Sequence, residues 1–178
     1  MHLDLSALEA GLEEIRRAPR DDGKVELIVR RPAENEREAL AEAHLDTAAG
    51  LLGDGWLSGG ADPGRQVTVM NARAIALLAR SRERWALAGD QLYVDLDLSG
   101  RNLPPGTQLE VGLAVLEVTA EPHRGCKKFG ARFGLDALRF VNSEVGYALN
   151  LRGINTRVVH AGVVRPGDVI RKLSHIVA

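Results

Sequence analysis

Residues 104–126 read PPGTQLEVGLAVLEVTAEPHRGC, and this stretch decides the fold class. A Pro-Pro-Gly-Thr turn opens it and leads into two short apolar strands, at 109–111 and 114–119, on either side of Gly112. The chain then leaves the second strand and reaches Cys126, the one cysteine of the sequence. Short strands joined by glycine and proline turns indicate a β-barrel or β-sandwich.

The sequence on either side continues this pattern. Further strands are predicted at 25–30, 66–70, 92–98, 154–164 and 169–171. Helical spacing predicts a helix in residues 4–18 that begins with a Ser6/Glu9 capping box, one after Asn71 as N-cap, and others after Cys126. Because the strands do not alternate regularly with long helices, we expect a mostly β (α+β) barrel with a few peripheral helices rather than a doubly wound sheet. The interval 33–43 fits either a helix or an extended loop.

Length and charge limit the classes of function. The 178 residues suit a single domain over 1–178, with an N-terminal helix within 1–20. A formal net charge of −1 argues against a general nucleic-acid binder, which needs a basic surplus to neutralise phosphates. With only 4% aromatic residues, a surface that stacks on nucleic-acid bases is not expected either. We therefore expect no nucleic-acid partner.

The sequence also bears on compartment. Charged residues interrupt every apolar stretch, so no membrane-spanning segment and no membrane partner are expected. The start of the sequence lacks the basic and apolar regions of a signal peptide, so the expected location is cytoplasmic. A single cysteine excludes an intramolecular disulfide and any zinc site with several cysteines.

The sharpest local signal surrounds Cys126. Within three residues of it lie His123 and three cations, Arg124, Lys127 and Lys128. Positive charge favours the thiolate, which is both the nucleophile and the soft metal ligand. The alternative is a buried, inert cysteine. The basic neighbours favour the reactive one.

Basic residues near Cys126 form a candidate anion site. Arg124, Lys127, Lys128 and Arg132 are clustered in sequence, and Arg152 and Arg157 are possible contributors. Such a patch receives a phosphate beside the thiol. The alternative is a solvated surface that acidic neighbours neutralise.

Other candidate chemistry is weaker. His123 and Cys126 have ligand-like spacing, and His160 is a possible third zinc ligand or hydrolase residue, yet three scattered residues are weak evidence. Asn155 can present its amide to a ligand, although such a residue more often satisfies its own turn. The motifs of serine hydrolases, P-loop nucleotidases and dinucleotide-binding enzymes are absent from the sequence.

The order of several motifs resembles the MOSC domain, the C-terminal module of eukaryotic molybdenum-cofactor sulfurases that also occurs alone in bacteria. These motifs are GLLGD at 50–54, LPPGTQLEVG at 103–112, AVLEVT at 114–119 before the single cysteine, RGINTRVV at 152–159 and RPGDV at 165–169. The resemblance runs from about Val25 to Ile170.

The resemblance implies a mostly β barrel and the handling of sulfur or molybdenum cofactor at Cys126. Family members carry persulfide sulfur or use the thiolate as a molybdenum ligand in the reduction of N-hydroxylated compounds; pyridoxal phosphate binding is implied only at the family level. Two departures stand out: Gly89-Asp90-Gln91-Leu92 replaces a common Gly-Glu-Asn-Leu, and Gly125 replaces a frequent proline. The chain also lacks room for the additional N-terminal β domain of the larger reductases.

The leading hypothesis is a MOSC-like protein with Cys126 as catalytic residue and metal ligand for the molybdenum cofactor (Mo-molybdopterin). Such a protein would be a cofactor-dependent reductase or a sulfur transferase, with a small-molecule ligand and a cysteine desulfurase or redox protein as partner. The alternatives are a non-catalytic binding or adaptor module with an inert cysteine, and a Cys/His or zinc-dependent hydrolase. The expected cofactor-binding residues are Arg124, Lys127, Arg157, Asn155 and His123.

Overall fold

The computed structural model describes residues 2–174, so the ends of the predicted domain, residue 1 and residues 175–178, lie outside it. The strands are β1 (Gly23–Arg30), β2 (Glu38–Ala39), β3 (Ala43–Asp46), β4 (Gly50–Leu51), β5 (Val67–Asn71), β6 (Leu92–Asp95), β7 (Gln108–Val111), β8 (Ala114–Val118), β9 (Ile154–His160), β10 (Gly162–Val164) and β11 (Val169–Lys172). The α-helices are α1 (Leu5–Ala10), α2 (Leu12–Arg16), α3 (Ala72–Ala79), α4 (Lys127–Phe133), α5 (Leu135–Val141) and α6 (Glu144–Ala148). Two 3-10 helices cover Pro63–Arg65 and Arg82–Ala88.

Seven strands close into a barrel in the order β11-β7-β8-β9-β5-β6-β1, because β1 also pairs with β11. The barrel is mixed: β5 and β6 run parallel, and the other neighbours are antiparallel. A parallel pair needs a crossover connection, and α3 with the second 3-10 helix supplies it. Strand β2 pairs antiparallel with the end of β1, and β10, β3 and β4 form a small second sheet. This architecture confirms the predicted mostly β barrel.

Two apolar clusters hold the fold together. One fills the barrel interior with side chains such as Val25, Val69 and Leu92. The other lies between the barrel wall and the helices, where Phe129 and Phe133 pack in one group with residues of α1, α3 and α5. Strand β5 is therefore buried along its whole length. The helices are the outer cover of one side of the barrel.

Several local predictions need correction. The predicted helix of residues 4–18 is broken at Gly11 into α1 and α2, where an added Cβ would meet the side chain of Leu77 at 2.5 Å. The N-cap of α1 is Asp4, whose Oδ1 accepts the N–H of Ala7 at 2.9 Å, so the Ser6/Glu9 capping box is wrong. Asn71, by contrast, caps α3 as predicted.

The strand predictions also differ in their bounds. The strand predicted over 92–98 ends at Asp95, and the strand predicted over 154–164 divides into β9 and β10. The division lets β10 pair with β3 in the second sheet. The interval 33–43, for which both a helix and an extended loop were open, contains no helix. It is extended or irregular apart from the short strand β2. Within residues 2–174 no helix is long and apolar enough to cross a membrane.

Candidate functional site

An open cleft of about 870 Å³ lies beside Cys126. Its walls come from the segments that follow β1, β4 and β8, from α4, and from the chain that enters β9. Loops that leave several strands therefore converge on one place, as they do in many binding sites built on a rigid scaffold. The volume is in the range of pockets that hold small molecules and cofactors.

Cys126 is exposed at this cleft and is the N-cap residue of α4. Partial burial by itself would raise the pKa of its thiol. The backbone N–H groups of Phe129 and Lys128, together with the charges of Arg152 and Arg132, outweigh that effect and lower the pKa below its ordinary value. A larger fraction of the thiol is therefore ionised at neutral pH than in a free cysteine, which supports the prediction of a reactive cysteine.

A buried ion pair lies beneath the cleft. Nη1 of Arg152 is 2.6 Å from Oδ2 of Asp90, and Nη2 of Arg152 donates to the carbonyl of Ala88 at 2.9 Å. Asp90 is fully buried, and the Arg152 guanidinium also lies 5.0 Å above the ring of Phe129. Asp90, from the Gly-Asp-Gln-Leu segment at 89–92, thus anchors the charge network under the site.

The next residue of the same segment organises the other wall. The Oε1 atom of Gln91 accepts the N–H and the hydroxyl of Thr68 at 2.8 and 2.6 Å. Its Nε2 donates to Asp54, 3.3 Å away. Asp54 in turn accepts two bonds from the guanidinium of Arg31, at 3.0 and 2.7 Å. The Gly-Asp-Gln-Leu variant at 89–92 therefore joins both walls of the cleft.

The cleft carries guanidinium groups that lack carboxylate partners in the described part of the chain. Arg37, Arg124 and Arg132 line it, and none of the three is ion-paired there. A Cβ added to Gly89 would lie 3.6 Å from Nη2 of Arg37 and 3.9 Å from Nη1 of Arg132, so both guanidiniums lie near the Gly89 turn. Burial, and then the charges of Arg132 and Arg31, lower the pKa of Arg37. An anion placed there would relieve this repulsion.

Unpartnered polar atoms concentrate at the same place. Among residues 2–174, the buried side-chain nitrogen and oxygen atoms without a hydrogen-bond partner are Nε of Arg37, Oδ1 of Asp90, Nδ1 of His123 and Nε of Arg152. Three of these residues line the cleft, and Asp90 contacts two of them. Buried polar groups are normally paired with protein or ordered water, so these atoms mark the cleft as a candidate site for a polar ligand or bound water.

The structure brings most of the predicted site residues to the cleft. His123, Arg124 and Asn155 line it; Asn155 is buried and donates to the carbonyl of Glu121 at 3.0 Å. The guanidinium of Arg124 stacks 3.6 Å above the ring of Tyr147, at the junction with a second cleft. Lys127 is exposed and adjoins Cys126 in the chain without lining the cleft.

Arg157 and His160 are not brought to the cleft. The Arg157 side chain points outward from β9 and pairs with Glu117, 2.7 Å away on the neighbouring strand β8. His160 is an exposed residue at the end of β9. Two arginines that were not among the predicted cofactor-binding residues, Arg37 and Arg132, line the cleft instead. In the described chain, no group of three or more His, Cys, Asp or Glu side chains could hold a metal ion, so the zinc alternative gains no support.

Several solved structures resemble this fold, among them three bacterial proteins. YuaD from Bacillus subtilis superposes with a TM-score of 0.59 and 18% identity, covering 86% of this chain and 96% of that chain. YiiM from Escherichia coli gives 0.57 and 20% identity, over 86% and 71% of the two chains. YiiM from Geobacillus stearothermophilus gives 0.58 and 14% identity, over 88% and 77%. At these identities the likeness establishes a shared fold.

Sequence comparison agrees with the fold. A search of curated proteins returned no match. The sequence model described as the MOSC domain matches residues 54–171, which is more than half of the chain and includes the cleft segments from Asp54 to Asn155. The protein therefore belongs to the MOSC domain family.

Proposed function

We propose that this protein binds the molybdenum cofactor in the cleft, with Cys126 as the thiolate ligand of the metal and with Arg37 and Arg132 holding the phosphate. The observation that carries the proposal is the combination of an exposed thiol of lowered pKa with guanidiniums that have no carboxylate partner, all in one cleft. A soft metal centre selects a thiolate, and a phosphate selects fixed N–H donors. The residues present fit both ends of such a ligand.

Each residue of the site has a part in this proposal. Cys126 would hold the metal at the open side of the cleft, and the N–H groups at the start of α4 favour the thiolate form of the sulfur. Arg152 supplies positive charge from below while its pairing with Asp90 fixes its position. When bound, the cofactor supplies a redox-active metal, which is the chemistry needed to reduce an N-hydroxylated compound. A redox protein would then be the electron-donating partner, and we expect it to meet this protein in the cytoplasm.

Sulfur carriage is the second candidate, and the exposure of Cys126 favours it. The Cys126 thiolate would attack the terminal sulfur of a persulfide on a cysteine desulfurase. A new S–S bond forms at Cys126, the S–S bond of the donor breaks, and the donor cysteine leaves as a thiolate. This step needs an accessible thiol of low pKa but makes no use of the arginine-lined cleft, so the cleft favours cofactor binding.

The test is the molybdenum and pterin content of protein purified from a host that makes the cofactor. We expect near-stoichiometric cofactor in the wild type, loss of molybdenum in Cys126→Ser, and affinity weakened by roughly 1.5–3 kcal/mol in Arg37→Gln or Arg132→Gln. Arg157→Gln is the matched control, because this arginine lies outside the cleft and should leave the content unchanged.

Other outcomes separate the alternatives. Absence of molybdenum and pterin from the wild type, together with one added sulfur atom on Cys126 after incubation with a cysteine desulfurase and cysteine, would replace cofactor binding with sulfur carriage. Absence of the cofactor from the wild type and of any added sulfur on Cys126 would favour a binding module with an inert cysteine.

A further inference from the structure

Two buried polar atoms without partners face each other under the cleft. Nδ1 of His123 lies 3.6 Å from Oδ1 of Asp90, and neither atom makes another hydrogen bond. The other oxygen of Asp90 is already taken by Arg152 at 2.6 Å. A contraction of less than 1 Å would turn the contact into an ordinary hydrogen bond of ~2.8 Å. The geometry therefore gives each atom the other as its natural partner.

A hydrogen bond between these two atoms would fix the tautomer of His123. Oδ1 of an ionised carboxylate can only accept, so Nδ1 must carry the proton. In a neutral imidazole the second nitrogen then has a free lone pair. Nε2 of His123 makes no hydrogen bond in the described chain and is not among its buried unpartnered atoms, so it keeps some exposure to solvent; His123 lines both this cleft and the adjoining second cleft. Burial, followed by the charge of Arg152, lowers the pKa of His123 to about 4, which keeps the ring neutral at neutral pH.

Nε2 of His123 adds a neutral acceptor to a cleft whose carboxylates are engaged by cations: Glu34 by Lys128, Asp54 by Arg31 and Asp62 by Arg65. The guanidiniums of Arg37, Arg124 and Arg132 can only donate. The carboxylate of Asp54 is already engaged by Arg31, by Gln91 and by the N–H of Trp56. When a ligand places an N–H or O–H group against the guanidiniums, that group loses its hydrogen bond to water and finds no acceptor in exchange. Beside Nε2 of His123 it keeps one.

We propose that His123, held by Asp90 with the proton on Nδ1, is a specificity-determining acceptor that selects ligands with an O–H or N–H donor near their anionic group. This inference rests on the anion site of the proposed function and is independent of the chemistry at Cys126. It assigns to His123 a direct contact with the ligand and to Asp90 the role of positioning residue.

The tautomer is tested by ¹⁵N NMR on the full chain labelled at histidine. The His123 signal is identified by its absence from His123→Gln. We expect protonated Nδ1 and unprotonated Nε2 at neutral pH in the wild type and equally in Cys126→Ser. Exposed His160, whose imidazole has no hydrogen-bond or ion-pair partner in the described chain, serves as the internal reference. A His123 ring protonated on Nε2, or one whose ¹⁵N shifts match those of His160, would overturn the assignment.

Selection is tested with simple phosphate esters. A series of ω-hydroxyalkyl phosphates of increasing length is titrated against the alkyl phosphates of equal length. For at least one length the wild type should bind the hydroxylated ester about three- to tenfold more tightly, as expected for one hydrogen bond. That ratio of affinities should fall to about one in His123→Phe. In His123→Gln, which keeps an acceptor, it should lie between one and the wild-type value, and in Arg157→Gln it should equal the wild-type value.

The outcomes distinguish the two proposals. Alkyl phosphates that bind with no preference for the hydroxyl at any length would overturn the selection by His123 alone. A wild type that binds neither kind of ester would overturn the anion site of the proposed function and this selection with it.

Discussion

Asn142 holds both sides of Gly125 with one side-chain amide: Oδ1 of Asn142 accepts the Gly125 N–H at 2.8 Å, and Nδ2 donates to the Gly125 carbonyl at 3.0 Å. Gly125 directly precedes Cys126, so this clamp fixes the point at which α4 begins. A proline at position 125, frequent in the family, has no N–H for Asn142 to accept. The glycine and the asparagine therefore form one unit that places the thiol.

Replacement of Asn142 should loosen this placement. In Asn142→Ala both hydrogen bonds are lost, and we expect the free energy of unfolding to fall by about 1–3 kcal/mol in a chemical denaturation experiment. The N–H groups that lower the Cys126 pKa should also lose alignment, so the pKa should rise. Gln108→Ala is the control, since it removes a single bond of 3.3 Å to Glu117. Equal effects of the two substitutions would contradict the clamp.

The buried pair of Arg152 and Asp90 should be costly to break. In Arg152→Met a side chain of similar length remains, but the fully buried Asp90 carboxylate loses its cation, and we expect a loss of about 3–5 kcal/mol in unfolding free energy. Arg17→Met is the control: its pair with Glu13 has both side chains exposed, 65% and 80%, and should cost less than about 1 kcal/mol. A similar small loss in both variants would show that the buried charges are compensated in another way.

His123 should make stability depend on pH. Its pKa in the folded protein is about 4, against about 6.5 when unfolded, so the unfolded state binds a proton more readily between these values. The free energy of unfolding should be unaffected above about pH 6.5 and should fall by up to ~3 kcal/mol as the pH drops toward 4. The charged groups that face this histidine are Asp90, Arg152, Arg31 and Arg65.

The comparison with His123→Gln isolates this contribution, because the variant keeps a polar side chain that does not titrate. Carboxylates of lowered pKa, such as Glu117, affect both proteins alike. The wild type should lose more stability than the variant between pH 6.5 and 4. If the unfolding free energies of the two proteins fall in parallel over this pH interval, protonation of the buried imidazole does not destabilise the fold, and the prediction is contradicted.

The barrel was predictable because its signals are local. Turn residues such as the Pro-Pro-Gly-Thr segment mark the ends of short strands wherever they occur, and the motif order around Cys126 indicated the family. Helix interruptions were less predictable: α1 and α2 separate at Gly11, where the side chain of Leu77, far along the chain, packs into the space that a Cβ would take. No local pattern carries that contact.

The site was predictable only in part, for a similar reason. Cys126, His123 and Arg124 reach the cleft together because they share one loop. Arg157 lies on β9, and which face it occupies depends on the register with β8, where Glu117 is its partner. Arg37 and Asp90 come from distant loops that the barrel closure brings together. The sequence signal that could have found them is a charged residue directly after or before a strand, as in Gly89-Asp90 and Arg152-Gly153.

Removal of the Arg132 charge should make the thiol less reactive. Arg132 and Arg152 help to lower the pKa of Cys126 against the opposing effect of burial, so Arg132→Gln should raise that pKa. Alkylation by iodoacetamide proceeds through the thiolate, and its rate plotted against pH gives the pKa as a midpoint. The wild-type midpoint should lie below the ordinary value of about 8.5, and the variant midpoint should lie above that of the wild type.

Two comparisons make this result specific to the site. Arg139→Gln removes an equal charge from α5, where Arg139 is exposed and paired with Asp136, and should leave the midpoint unchanged. Added salt should shift the wild-type midpoint upward, because Cys126 is exposed and its interaction with Arg132 is open to screening. A wild-type midpoint at or above 8.5, or a thiol that reacts only after denaturation, would contradict the reactive cysteine on which both cofactor binding and sulfur carriage depend.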